Sequence, residues 1–201
     1  MYSLQTSVIV DGREFTITNK GDFRMVLDCM AALRDDELSE DCRVLASLLI
    51  FYNEFDSFES IYKETPETLT ELLKGMFFFI DCGQDESYGA KTSHALVDWE
   101  KDSQMICSAI NKIANTEIRA LDYLHWWTFM GYFAAIGDST LATVVGIRNK
   151  LITGKKLEKW EQEFKRNNPN YFIWKSTTVE ERETDKLIRE IWNSGGKEDA
   201  N

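Results

Sequence analysis

Proline and histidine are scarce in this 201-residue chain, with two of each. Pro66 and Pro169 are the only prolines, so the apolar patterns between them run without obligatory breaks. His94 and His125 stand far apart with no cysteine close to either, which leaves no i, i+3 or i+4 ligand pair for zinc. The four cysteines, Cys29, Cys42, Cys82 and Cys107, form no Cys-x-x-Cys pair and no disulfide framework, and read as reduced thiols of a cytosolic protein. The eleven glycines are scattered, so neither a phosphate-cradling loop nor a dinucleotide fingerprint is present. The longest uncharged run, residues 123–137, is 15 residues, against the roughly 20 that span a bilayer, and no membrane segment is expected. Met1-Tyr2-Ser3-Leu4-Gln5 lacks a basic region followed by an apolar one, so no secretory signal is expected either.

Positive charge is also short. The net charge is −11; residues 1–150 hold 13 Lys/Arg and 24 Asp/Glu, and the remainder holds ten of each. An acidic surface repels phosphate backbones, which argues against nucleic-acid binding and leaves solubility or a basic partner as the use of the charge.

What is present is helical periodicity and aromatic rings. Two β-branched runs flank Asp11-Gly12, the mark of a two-residue hairpin, which must pack on helices or find another strand, and its exposed edge is a candidate docking site. Beyond Gly21, helical spacing starts at Asp22, and again after the charged break at residues 36–40. Short helical patterns follow at residues 57–63 and, with Pro66 in the first turn, to Ile80. Residues 81–97 read as a flexible connection. Three helices are expected near residues 99–114, 117–136 and 139–152, a charged one at 155–166, a turn at 167–170, and a last helix opened by a Thr178/Glu181 capping box, with a disordered tail from Gly195. The fold class is thus mainly α: a compact helical bundle with a small N-terminal hairpin and a less tightly packed helical C-terminal region. Residues 1–20 would form the hairpin, 21–152 the helical core and 153–201 a charged extension.

Leu124-His125-Trp126-Trp127 is the most distinctive stretch. Adjacent tryptophans lie about 100° apart on a helix and must face two neighbours, so core packing is the default for Trp126 and Trp127, and His125 beside them reads as a polar core residue rather than a base. Asp98, Glu100 and Asp102 could ligate a cation or share a proton, but capping of the adjoining helix is the simpler use. Arg148 is the expected counter-charge, because its fork suits semi-buried carboxylates. Trp160, Trp174 and Trp192 sit among charges and are candidates for a partner surface as much as for packing. No catalytic residue, metal ligand or cofactor is assigned.

Asp22-Phe23-Arg24, the acidic start Asp98-Trp99-Glu100-Lys101-Asp102, the run Leu124-His125-Trp126-Trp127 with Phe129, and Ile147-Arg148 together resemble the bacteriophage gene-product-fifteen family of Gram-positive siphophages and prophages. The likeness spans about residues 4–152, and the His-Trp-Trp element is its most specific part. The resemblance implies a gene in the tail-morphogenesis block, before the tape-measure gene. It implies a non-enzymatic tail assembly chaperone or adaptor in the host cytoplasm. Its partners would be the tape-measure and tail-tube proteins and a second tail assembly chaperone. A structural tail component of the virion is one rival; a small metal-dependent enzyme using Asp98, Glu100, Asp102 and His125 is the other. Rings, spirals and monomers can all be built from such helices, so a homo-oligomer stays open.

Overall fold

The structure, a computed structural model, describes residues 3–84 and 96–173. Among these the fold is mainly α, as the periodicity predicts, with eight α-helices and one two-stranded sheet. The described residues divide into two compact units: residues 3–84 with Tyr123–Thr128, and residues 96–122 with 129–173.

The first unit opens with strands β1 (Ser7–Val10) and β2 (Arg13–Thr16), antiparallel, Val10 opposite Arg13. Asp11 and Gly12 hold φ of 50° and 77°, the left-handed pair that a tight two-residue hairpin requires. Helix α1 (Phe23–Leu33) is capped by the Asp22 carboxylate, α2 (Glu40–Phe51) by Ser39 and the single turn α3 (Phe58–Ile61) by Ser57. In α4 (Pro66–Ile80), Thr65 caps and Pro66 occupies the first turn, where its missing N–H is not needed. Phe15, Ile17, Phe51, Tyr52, Leu72 and Phe79 are fully buried and form the aromatic centre of this unit. The buried Tyr52 hydroxyl donates to the Leu72 carbonyl at 2.7 Å.

Gly75 is what lets the hairpin lie on α4. A Cβ there would stand 2.6 and 2.9 Å from the two methyls of Val8, a β-branched side chain that cannot swing aside. So the hairpin meets the packing requirement without recruiting a further strand.

The second unit contains α5 (Ser103–Ala114), the part of α6 (Trp126–Ala134) from residue 129 on, α7 (Thr140–Ile152) and α8 (Lys159–Asn167). Asn115 in the left-handed region (φ 52°) ends α5. The expected helix over 117–136 does not form as one piece. Asn111 accepts from the Ile118 N–H (2.9 Å), Glu117 accepts from the Arg119 N–H (3.1 Å), and only a 3-10 turn follows at Ile118–Ala120. Helix resumes at Trp126, because the backbone of Leu124 is bonded elsewhere, as described below. Ser139 caps α7, and Glu161 ties α8 to it by accepting from Lys150 Nζ at 2.6 Å. A 3-10 turn at Pro169–Phe172 closes the described chain, Phe172 meeting Phe164 edge-on. The Thr178/Glu181 capping box, the last helix and the tail lie outside the described residues.

Two glycine substitutions should move stability in opposite directions. Gly146→Ala in α7 meets nothing within 4 Å and should raise stability by up to about 1 kcal/mol through helix propensity. Gly75→Ala gains the same propensity but overpacks Val8, a penalty of about 1–3 kcal/mol, and should lower the urea midpoint. Equal shifts in the two melts would refute the tight seat of β1 on α4.

Candidate functional site

The segment Leu124-His125-Trp126-Trp127 is held by backbone pairing rather than by helix. Phe23 N–H donates to the Leu124 carbonyl (2.9 Å), and the Asp22 carboxylate accepts from the Leu124 N–H (2.9 Å) while also capping Arg24 N–H (3.0 Å) and pairing with the Arg24 side chain (3.1 Å). Asp22 and His125 face each other in an isolated antiparallel bridge. Gly21, just before, has φ 78°, and a Cβ on it would collide with the ring of Phe79.

His125 is 1% exposed and uses both ring nitrogens. Nδ1 accepts from the Trp127 N–H at 3.0 Å, capping the start of α6, so the hydrogen sits on Nε2, which donates to the Gln5 carbonyl at 2.9 Å. Burial pushes the imidazole below its ordinary value, against the Gln5 bond, which pulls the other way. The neutral ring is therefore the structural species.

The two indoles finish α4. The last four carbonyls of a helix have no partner within it. Here Phe77 O and Phe78 O accept from the N–H groups of Asp81 and Gly83. Phe79 O accepts from Trp127 Nε1 and Ile80 O from Trp126 Nε1, both at 2.8 Å. The Phe79 ring stands 5.3 Å from His125 and 5.7 Å from Trp127, centroid to centroid. The sequence placed these tryptophans in the core; it did not mark their N–H groups as helix caps, nor Asp22 as the residue that positions them.

In the second unit, Arg148 lies on Asp102, with Nη1 and Nη2 donating to the two carboxylate oxygens at 2.5 and 2.9 Å, both side chains all but fully buried. The same guanidinium donates to Leu96 O (2.8 Å) and twice to Tyr171 O (3.0 and 2.6 Å), so its five N–H groups all find acceptors. Asp102 also accepts from Asp98 N–H (2.9 Å), and the Asp98 side chain caps the turn below by accepting from Glu100 N–H (3.2 Å) and Lys101 N–H (3.0 Å). The Asp98 and Asp102 carboxylates thus serve the backbone, Arg148 and, at 4.0 Å, Lys101, while Glu100 is exposed. Trp99 packs its ring 5.1 Å from Phe133 and 6.2 Å from Phe129. Among the described residues no group of three His, Cys, Asp or Glu side chains is placed to hold a metal ion.

Of the candidate partner-surface residues, Trp160 is 53% exposed on α8, its indole N–H donating to Glu158 at 2.9 Å. Trp174 and Trp192 lie outside the described residues. The Cys29 thiol is buried, and burial pushes it up to about 12, which makes it a poor nucleophile.

Two outcomes test this geometry. Because the folded state keeps His125 neutral and the unfolded chain takes up a proton near pH about 6.5, its contribution is complete above that pH and is lost as the pH falls from there through the lower folded-state value. His125→Asn, which keeps a neutral donor and acceptor, should lose less stability on acidification than the native chain; parallel pH curves would overturn the assignment. Asp102→Ala strands a buried guanidinium and should cost about 3–5 kcal/mol in urea unfolding. Arg148→Met should then do far less harm in an Asp102→Leu background than alone, and strict additivity would contradict the pairing.

No curated protein and no solved structure matches the chain. The profile of the family described as Bacteriophage Gp15 protein matches residues 2–172. That span takes in the Asp22 cap, the Asp98 to Asp102 turn, the His-Trp-Trp clasp and Arg148, so the chain belongs to the bacteriophage Gp15 protein family.

Proposed function

We propose that this protein is a non-enzymatic tail assembly chaperone or adaptor, which binds tape-measure or tail-tube protein in the bacterial host cytoplasm while a siphophage tail is built. Family membership over residues 2–172 carries this reading, since it sets the chain among phage structural and morphogenesis proteins. Three physical features support it. The polar groups of the distinctive segments are spent on backbone and on one another, with none directed at a substrate. Among the described residues no helix is long and apolar enough to cross a membrane. Large side chains stand exposed on the surface, Tyr62, Phe78 and Trp160 among them, where an amphipathic segment of a client would find apolar contact.

The test is co-expression of the tagged protein with the neighbouring tape-measure and tail-tube genes, capture from the soluble fraction, and light scattering on what elutes. A soluble complex with either client, and absence of the protein from purified particles, is the expected result. Stoichiometric protein in mature virions would instead make it a structural tail component, and capture of neither client would sink the chaperone reading. Trp160→Ala should leave stability within about 0.5 kcal/mol, as exposed substitutions do, while weakening capture; unchanged capture would remove α8 from the binding surface.

A further inference from the structure

The N-terminal sheet has two edges, and a groove lies beside β1. On β2, Thr16 is paired, its N–H donating to Glu54 at 2.8 Å and its O accepting from Asn53 N–H at 3.0 Å, while Glu14, opposite Ile9, turns its backbone outward without a partner among the described residues. On β1 the two-residue turn makes Val10 with Arg13 and Val8 with Phe15 the hydrogen-bonded pairs, and the bond from Ile17 N–H to Thr6 O keeps that phase. Ser7 and Ile9 therefore turn their backbone groups outward. Ser7 O accepts from the Gln5 side chain at 3.1 Å, but the N–H and C=O of Ile9 meet no partner among the described residues. Beside this edge runs a groove of about 600 Å³ between β1 and α4, walled by Val8, Ile9, Glu71, Lys74, Phe78 and Asp81. Ile9 is 73% and Phe78 43% exposed.

We propose that the β1 edge and the adjoining face of α4 form a docking groove for an extended apolar segment with basic flanks, supplied by a partner tail protein and added to the sheet as a third strand. The proposal rests on the chaperone reading for the identity of the partner. Only an extended backbone answers an outward N–H and C=O on one residue, while alternate side chains of the added strand reach the Phe78 side of the groove. Charge selects the rest. Residues 3–84 hold 7 Lys/Arg against 16 Asp/Glu, and the groove's Lys74 is already bound to Glu71 at 2.7 Å. A second copy of this chain, itself at −11, is repelled from such a surface, and a basic segment is drawn to it.

A displayed library of random twelve-residue peptides, selected on the full-length protein, tests the groove directly. Enriched peptides should alternate apolar residues between Lys or Arg flanks, bind at least tenfold more weakly to Phe78→Glu and Ile9→Pro, and slow exchange of the Ile9 amide at least tenfold. Ile9→Pro removes the outward N–H at an edge position that tolerates proline, and Phe78→Glu leaves the strand intact should the first variant unfold. No enrichment, equal binding to Phe78→Glu, or an unslowed Ile9 amide overturns the proposal. So does a native dimer that Ile9→Pro dissociates, since the edge would then belong to a second copy. Client capture that survives Phe78→Glu unchanged removes the groove and leaves the chaperone reading standing. Wild-type protein that captures no client fails that reading, while the peptide selection still judges the groove.

Discussion

The Asp22 carboxylate is the constraint on which the first unit depends. It caps its own helix and also takes the N–H of Leu124, 102 positions away in sequence. Closing a loop of that length costs on the order of 4 kcal/mol in chain entropy. Single hydrogen bonds worth about 1 kcal/mol each do not offset it alone. The contact persists because it brings buried rings with it: once Leu124 is extended against Asp22, His125 falls on Gln5 and the indoles of Trp126 and Trp127 reach the open end of α4. Burial of the Trp126 ring, worth about 2–3 kcal/mol, supplies what the hydrogen bonds lack. One carboxylate therefore sets an entry angle, a helix cap and an aromatic seal together.

The second unit solves the same problem with charge. Arg148 leaves α7 and gathers the entry to α5 through Asp102, the chain before it through Leu96 O and the turn after α8 through Tyr171 O. A lysine has three donors on a single point and cannot serve a bidentate carboxylate and two carbonyls at once; the planar five-donor fork can. Buried ion pairs often contribute little net stability against apolar replacements, but they tolerate few alternative arrangements. Arg148 acts as a register pin for segments that lie 52, 46 and 23 positions from it in sequence.

Legibility in the sequence followed the range of the interaction. The Asp11-Gly12 hairpin and Pro66 at the head of α4 were readable because each is decided by residues within one turn. The helix expected over 117–136 gives only a 3-10 turn at Ile118–Ala120 and resumes at Trp126, because Asp22 takes the Leu124 N–H and bridges His125, a partner that leaves no local mark. Chemistry pointed Arg148 at the cluster of Asp98, Glu100 and Asp102, since a buried guanidinium needs a carboxylate, but did not single out Asp102. The carbonyls of Leu96 and Tyr171 carry no side-chain identity and stayed invisible. Gly75 sits inside α4, and nothing in the sequence marks the Val8 methyls packed against it.

Several of the residues that carry the family resemblance are thus turned inward, while Glu100 and Lys101 stay exposed. Asp22, His125, Trp126, Asp102 and Arg148 are buried, and each has its polar atoms bonded to this same chain. They define the scaffold of this chain. What the scaffold leaves outside is the open backbone of Ile9, the ring of Phe78, the indole of Trp160 and the acidic field around the first unit. Changes in the buried set act through folding and reach any partner indirectly, by reducing the amount of native protein. Changes in the exposed set act on contact and leave the fold alone. The two kinds of variant are separable by measuring stability and capture on the same samples, because the clasp and the ion pair share no side chain with the exposed surfaces.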